Sequence, residues 1–290
     1  MLKVISDLYF ESERALFDLE HARLKNCSFD KGESPLKHAK NIVLTGTSFA
    51  YKYPLWYAKD IEAEHICLLE NARSGLWYIE NLSLKNSFIA APKSFRKASK
   101  IKLFNVDMPN ALESFWDCKD VNLQKVSVRG DYFAFHSENL RLEDFNIQGN
   151  YCFDSCKNVF VKNAKILSKD AFWNCENVEL EDSFISGEYL GWNSKNITFK
   201  NCTIESLQGL CYIKNLKLEN CKLINTSLAF EYSSVKANIN SNIKSIINPL
   251  EAEISAFDID EIILDQSKVD TSKTHITLLH KEQIGKEHAI

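Results

Sequence analysis

The sequence predicts an all-β fold, a single-domain parallel β-helix of about eleven coils, and three recurrences carry that reading. A polar residue followed by an aliphatic one returns as His21, Asn41, Asp60, Asn81, Lys100, Asp120, Asn139, Asn158, Asn177, Asn196, Asn215 and Ser234, at intervals of nineteen to twenty-one residues. Eight positions after each of the first eleven anchors stands a large apolar residue, from Phe29 and Phe49 through Ile147 and Ile166 to Leu223. Five positions after it the residue is Asn or Asp in eight coils of eleven, so a polar column accompanies the apolar one.

Each element of one coil follows from these columns. Apolar residues at +1 and +3 alternate with polar ones, as in a short half-buried strand. Asn, Asp or Gly at +5 tolerates the left-handed backbone that a corner requires. A second short strand then carries +6 and +8 inward, and a third run leads to the next anchor. Layers of such coils stack at about 4.8 Å, and Asn side chains on successive layers can bond to one another as ladders. A leucine-rich repeat has a similar period, but no half of this unit has helical spacing. Residues 1–20 are expected to form a first strand or cap, 21–240 the helix, and 241–290 strands and a tail that cover or cap it.

Composition narrows the partners. The 290 residues carry a formal charge of −4, and Lys and Arg do not gather in one block, which argues against nucleic acid. No run approaches the ~18 apolar residues of a membrane span, and the first residues do not read as a secretory leader. Nine cysteines without a CxxC or a Cys/His cluster at zinc spacing point to a reduced, cytoplasmic setting and to no metal. Cys27, Cys202 and Cys221 fall in the +6 column and Cys118, Cys156 and Cys175 in the −2 column, among Ala and Ser. They are expected to be small core residues. No cofactor is implied.

Strict alternation through the third run puts −2 and −4 inside and −3, −5 and −7 outside. Every tryptophan (Trp56, Trp77, Trp116, Trp173 and Trp192) stands at −4 and is therefore expected in the core. The −5 column, with Leu36, Leu55, Leu76, Phe95, Phe115, Phe153, Phe172 and Leu210, becomes an outward apolar ridge, unless a bend exchanges −4 and −5. Such a ridge needs a cover: a ligand, a second subunit or the C-terminal segment.

Beside it, tyrosines, carboxylates and a histidine line a face suited to a saccharide. Tyr57, Tyr78, Phe115, Tyr132, Tyr151 and Phe153 are the expected ligand contacts. Asp117, His136 and Ser155 share one column on successive coils, in the order of a hydrolase relay. Glu113 and Asp117, with Asp131 beginning the next run, offer the paired carboxylates of glycoside cleavage. The catalytic candidates are thus Glu113, Asp117, Asp131 and His136.

Several motifs recur in order over residues 9–250: ERALF at 13–17, KNCSF at 25–29, then YPLWYAKD, GLWYIENLSLKNS, AFWNCENVELEDS, GEYLGWNSKNITFKNC and GLCYIKNLKLENC, and finally INPL. This series resembles a bacterial family of unknown function with the pectin-lyase-like right-handed β-helix. The resemblance implies the right hand of the coil and a cytoplasmic protein, and supplies neither substrate nor catalytic residues. The functional expectation is a protein that binds a carbohydrate or similar polar ligand along the Tyr/Phe face. Any catalysis would be that of a carbohydrate-active hydrolase or lyase. The alternative is an assembly scaffold that forms a homo-oligomer through the ridge.

Overall fold

The computed structural model describes residues 3–279, which divide into two units at Gly149. In the first unit eight rungs stack in parallel: Lys3–Ser6, Glu20–Lys25, Lys40–Thr45, Lys59–Glu64, Glu80–Ile89, Ser99–Met108, Lys119–Arg129 and Glu138–Gln148. The second unit stacks seven: Lys157–Lys162, Glu176–Glu181, Lys195–Lys200, Lys214–Leu223, Ser234–Ile247, Glu251–Ile263 and Thr274–Leu278. Both are parallel β-solenoids. The expected eleven coils become fifteen rungs because both ends extend the stack beyond the regular anchors. At the C-terminal end Ser234 pairs with Glu251 and Ala252 with Thr274. Those offsets of seventeen and twenty-two residues conceal the nineteen-residue period.

Register follows the anchors: Val121 pairs with Leu140 and Val128 with Ile147 in the first unit, Val178 with Ile197 in the second. The +1, +3 and +8 side chains all turn inward, and the anchor and +5 residues sit at the corners with positive φ, as at Asn81 (59°) and Asn86 (47°). Their amides bond from rung to rung, Asn139 to Asp120 at 2.8 Å, and Asn215 to Asn196 and Asn196 to Asn177 at 2.9 Å each. These are the expected ladders, and they satisfy polar groups that the corners would otherwise leave unpaired.

The third side departs from alternation. Positive φ recurs there at −7, −5 and −3, for example Tyr53 (63°), Leu55 (60°) and Tyr57 (59°). Turns close across it from the −2 amide to the −5 carbonyl: Ala39 to Leu36 at 3.1 Å and Ala58 to Leu55 at 3.2 Å. With φ positive at their third residue these have the type II pattern. The turn exchanges −4 and −5, so −5 and its neighbour −6 both face the core. Leu36, Leu55, Phe95, Phe115, Phe153 and Phe172 are at most 1% exposed, and the tryptophans are the half-exposed residues.

The ridge is therefore core, and the expectation of an outward apolar surface open to a subunit or a ligand is overturned. Two small residues in the −5 column confirm the geometry. Where −5 is Ala134 or Gly191, the −6 position supplies the bulk as Phe133 or Leu190, all buried. Packing density is kept by moving one large side chain a single residue back.

The −2 column has a second role beyond being small. Ser137 Oγ donates to the carbonyl of Phe115 at 2.7 Å, Ser194 to Phe172 at 2.7 Å and Ser233 to Leu210 at 2.8 Å. Cys118 and Cys175 donate from Sγ to Phe95 and Phe153 in the same way. The Phe95 and Phe153 carbonyls also accept a backbone N–H, from Trp116 at 3.1 Å and Cys156 at 3.3 Å, so the thiol there serves the second lone pair.

Candidate functional site

With −4 turned out, the tryptophans stand on the third side and are anchored at their edge. The indole Nε1–H of Trp77 donates to the Lys93 carbonyl at 2.6 Å, and that of Trp116 to the Tyr132 carbonyl at 2.7 Å. In the second unit Trp173 and Trp192 donate likewise to Tyr189 and Gln208. Each indole thus reaches from −4 of one rung to −7 of the next. Trp56 and Trp77 stack face to face, with centroids 5.2 Å apart.

Beside them His38, Tyr57 and Tyr78 stack at 5.1 and 4.5 Å. Tyr57 spends both ring faces on these neighbours and presents its edge to solvent. For Tyr57 the expectation that a ring face receives a sugar gives way to an edge that offers C–H and hydroxyl groups, while Tyr78 is stacked on one face by Tyr57. Phe115 and Phe153, also expected to touch ligand, are 1% and 0% exposed and belong to the core. Tyr132 is 42% exposed on the same outer side as Trp116. Tyr151 lies in the second unit, where its hydroxyl bonds to Asp170, a 3%-exposed carboxyl whose pKa is raised by burial.

The ionisable candidates fall into separate partnerships. Asp117 Oδ1 lies 2.7 Å from His136 Nδ1, and the two side chains are 38% and 64% exposed. Successive places in the −3 column bring them together, as the sequence implied. The carboxylate fixes the ring by its Nδ1 and leaves the Nε2 side toward solvent. Glu113 instead meets Lys93 at 3.0 Å and lies 3.8 Å from Arg96 Nη2. Glu113 is held by Lys93 and Asp117 by the His136 ring, so they are not a free carboxylate pair. Asp131 is half-exposed, and its carbonyl accepts the Glu113 amide at 3.0 Å. Ser155 lies in the second unit, where its hydroxyl donates to Asp154 at 2.9 Å.

This face is open. A concave surface of the first unit lies on another side, lined by His65, Cys67, Asn86, Phe88 and Asn105. Among the described residues no three His, Cys, Asp or Glu side chains are grouped to hold a metal ion. No helix there is long and apolar enough to cross a membrane.

The family model described as a protein of unknown function, DUF3737, matches residues 3–277. The chain belongs to this family. No curated protein matches it. Among solved structures it is similar to the A-module of the mannuronan C-5 epimerase AlgE4 of Azotobacter vinelandii, at 10% identity over 96% of this chain and 89% of that one, with a TM-score of 0.30. It is also similar to the tailspike protein of E. coli bacteriophage HK620, at 9% identity over 90% of this chain and 62% of that one, with a TM-score of 0.38. A third likeness is to the fluoroquinolone resistance protein QnrB1, at 11% identity over 99% of this chain and 100% of that one, with a TM-score of 0.20.

Eight of the nine cysteines are buried in the core. Burial pushes Cys118, Cys202 and Cys211 up to about 12. Cys67 is the exception in position, only half-buried. A native thiol titration with Ellman's reagent should therefore register one slowly reacting cysteine, and all nine after denaturation. Rapid reaction of several thiols in the folded protein would contradict the inward +6 and −2 columns.

Proposed function

We propose that this protein binds a saccharide, or a ligand similarly rich in hydroxyls, on the outer third side of the rungs that carry residues 93–136. The Asp117–His136 pair supports the reading most directly. It holds an imidazole in one orientation on an exposed surface, beside the ring of Tyr132 and the edge of Trp116. An oriented imidazole nitrogen next to fixed ring edges suits a ligand hydroxyl, which needs one acceptor and one donor in set places. The same nitrogen is where a proton would leave a bound hydroxyl if catalysis accompanies binding.

The proposed setting is a reducing compartment such as the cytoplasm. Cys118, Cys175, Cys202 and Cys221 must keep their thiol protons to serve as donors to backbone carbonyls.

The test is a titration of neutral and acidic oligosaccharides followed by tryptophan emission and by calorimetry. A binding glycan should lose about tenfold in affinity in His136→Gln, the loss of roughly one good hydrogen bond. Absence of binding across the panel, or unchanged affinity in His136→Gln together with Tyr132→Ala, would sink the assignment of this face.

A further inference from the structure

Arg96 interrupts the tryptophan column, and the geometry shows what the interruption creates. Its guanidinium carbon lies 4.6 Å from the ring centroid of Trp77 on one rung and 4.6 Å from that of Trp116 on the next. Two indoles hold the planar cation between them, which fixes its orientation before any ligand arrives. Yet the arginine does not complete the bond that the tryptophans make. Trp77 and Trp116 donate to the −7 carbonyl of the following rung, whereas the buried Nε–H of Arg96 has no acceptor among the described residues.

Its charged neighbour Glu113 is 3.8 Å from Nη2, beyond hydrogen-bonding distance, and is held by Lys93 at 3.0 Å. The result is a clamped guanidinium whose outer Nη groups have no hydrogen-bond partner among the described residues, while the buried Nε lies behind them, out of a ligand's reach. Lys97, next in the chain and exposed, adds a positive charge on the same rung. Asp117 is aimed at His136 and forms no ion pair with Lys97 or Arg96 among the described residues.

We propose that Arg96, supported by Lys97, is an anion-recognising subsite that takes an oxyanion of the ligand, either a carboxylate or a sulfate or phosphate ester. Placing it on a saccharide rests on the face proposed above and makes the ligand acidic. The recognition itself rests only on the clamped fork. Guanidinium matches a planar or tetrahedral oxyanion with two parallel bonds, and the flanking rings exclude water from one side of each.

Arg96→Trp isolates the charge from the packing. The same slot already holds Trp77 and Trp116, so the variant should fold and melt like the wild type. The probes are sulfate, inorganic phosphate and glucuronate, with chloride at matched ionic strength and glucose as controls. In the wild type, sulfate, phosphate or glucuronate should shift tryptophan emission saturably, with little response to chloride or glucose. The response should vanish in Arg96→Trp and weaken at least tenfold in Arg96→Lys, which keeps the charge and loses the fork.

Sulfate against glucuronate distinguishes an ester group from a carboxylate. Equal anion responses in wild type and Arg96→Trp, or none beyond ionic strength in the wild type, would overturn the subsite. Glycans that bind equally well to Arg96→Trp would overturn it while leaving the face standing. An Arg96-dependent sulfate response with no glycan binding would uphold the subsite and remove the saccharide.

Discussion

Ile147→Asp should give no cooperatively folded protein. Ile147 is 2% exposed, pairs with Val128 on the preceding rung, and belongs to the +8 column that runs through Phe29, Phe49, Leu68, Ile89 and Met108. The inward places around it in the first unit are apolar, so the carboxylate would have neither a cation nor a donor. Isolated buried ions cost several kcal/mol even after relaxation, against a total stability of about 5–15 kcal/mol for an ordinary domain. The loss would also spread, because each layer of a solenoid is stabilised chiefly by its immediate neighbours. Ile147→Val is the control and should cost only about 0.5–1.5 kcal/mol. Circular dichroism across a urea titration reads both. A soluble Asp variant that unfolds as sharply as the wild type would place residue 147 outside the core.

Phe115→Ala should lose about 3–5 kcal/mol, the usual penalty for removing a fully buried aromatic ring. Phe115 is 1% exposed and stacks on Phe95 with centroids 4.3 Å apart. Trp116→Ala, one residue along, should lose roughly 1–2 kcal/mol, from one backbone hydrogen bond and the contact with Arg96. This order runs against what strict alternation implies, since alternation would bury Trp116 and expose Phe115. Urea unfolding of the two variants side by side decides it. A larger loss in Trp116→Ala would mean that the type II turns do not exchange the two columns.

The contrast at 115 and 116 also marks where the sequence stops being legible. The ladders, the inward +1, +3 and +8 columns and the small −2 column could all be read directly. Each follows from an extended strand or from a corner built on Asn, Asp or Gly. The third side could not, because its −5 residues with positive φ are mostly Leu and Phe, types that carry no signature of that backbone, and the Asn, Asp and His beside them at −7 and −3 are scattered among Ser, Lys and Tyr. The clue lay in volumes: Phe133 before Ala134 and Leu190 before Gly191 trade bulk only if −6 and −5 share one interior.

For the site, Asp117 and His136 were legible because neighbours in a column must meet. Phe115 and Phe153 were misplaced with the ridge. Arg96 stood out as a charge in an apolar column, but its clamping depends on that column facing outward, which periodicity alone does not give.

The indole N–H bonds tie each tryptophan-bearing layer of the outer side to the backbone of the one after it. A guest arriving there meets a surface whose rings are already pinned, and association need not pay to freeze them. Such rigidity favours fast, shape-selective capture and leaves little room for adjustment around a misfitting guest. It also means that loosening a tryptophan-bearing layer must break its tie to the next, so opening there should involve two layers together rather than one alone.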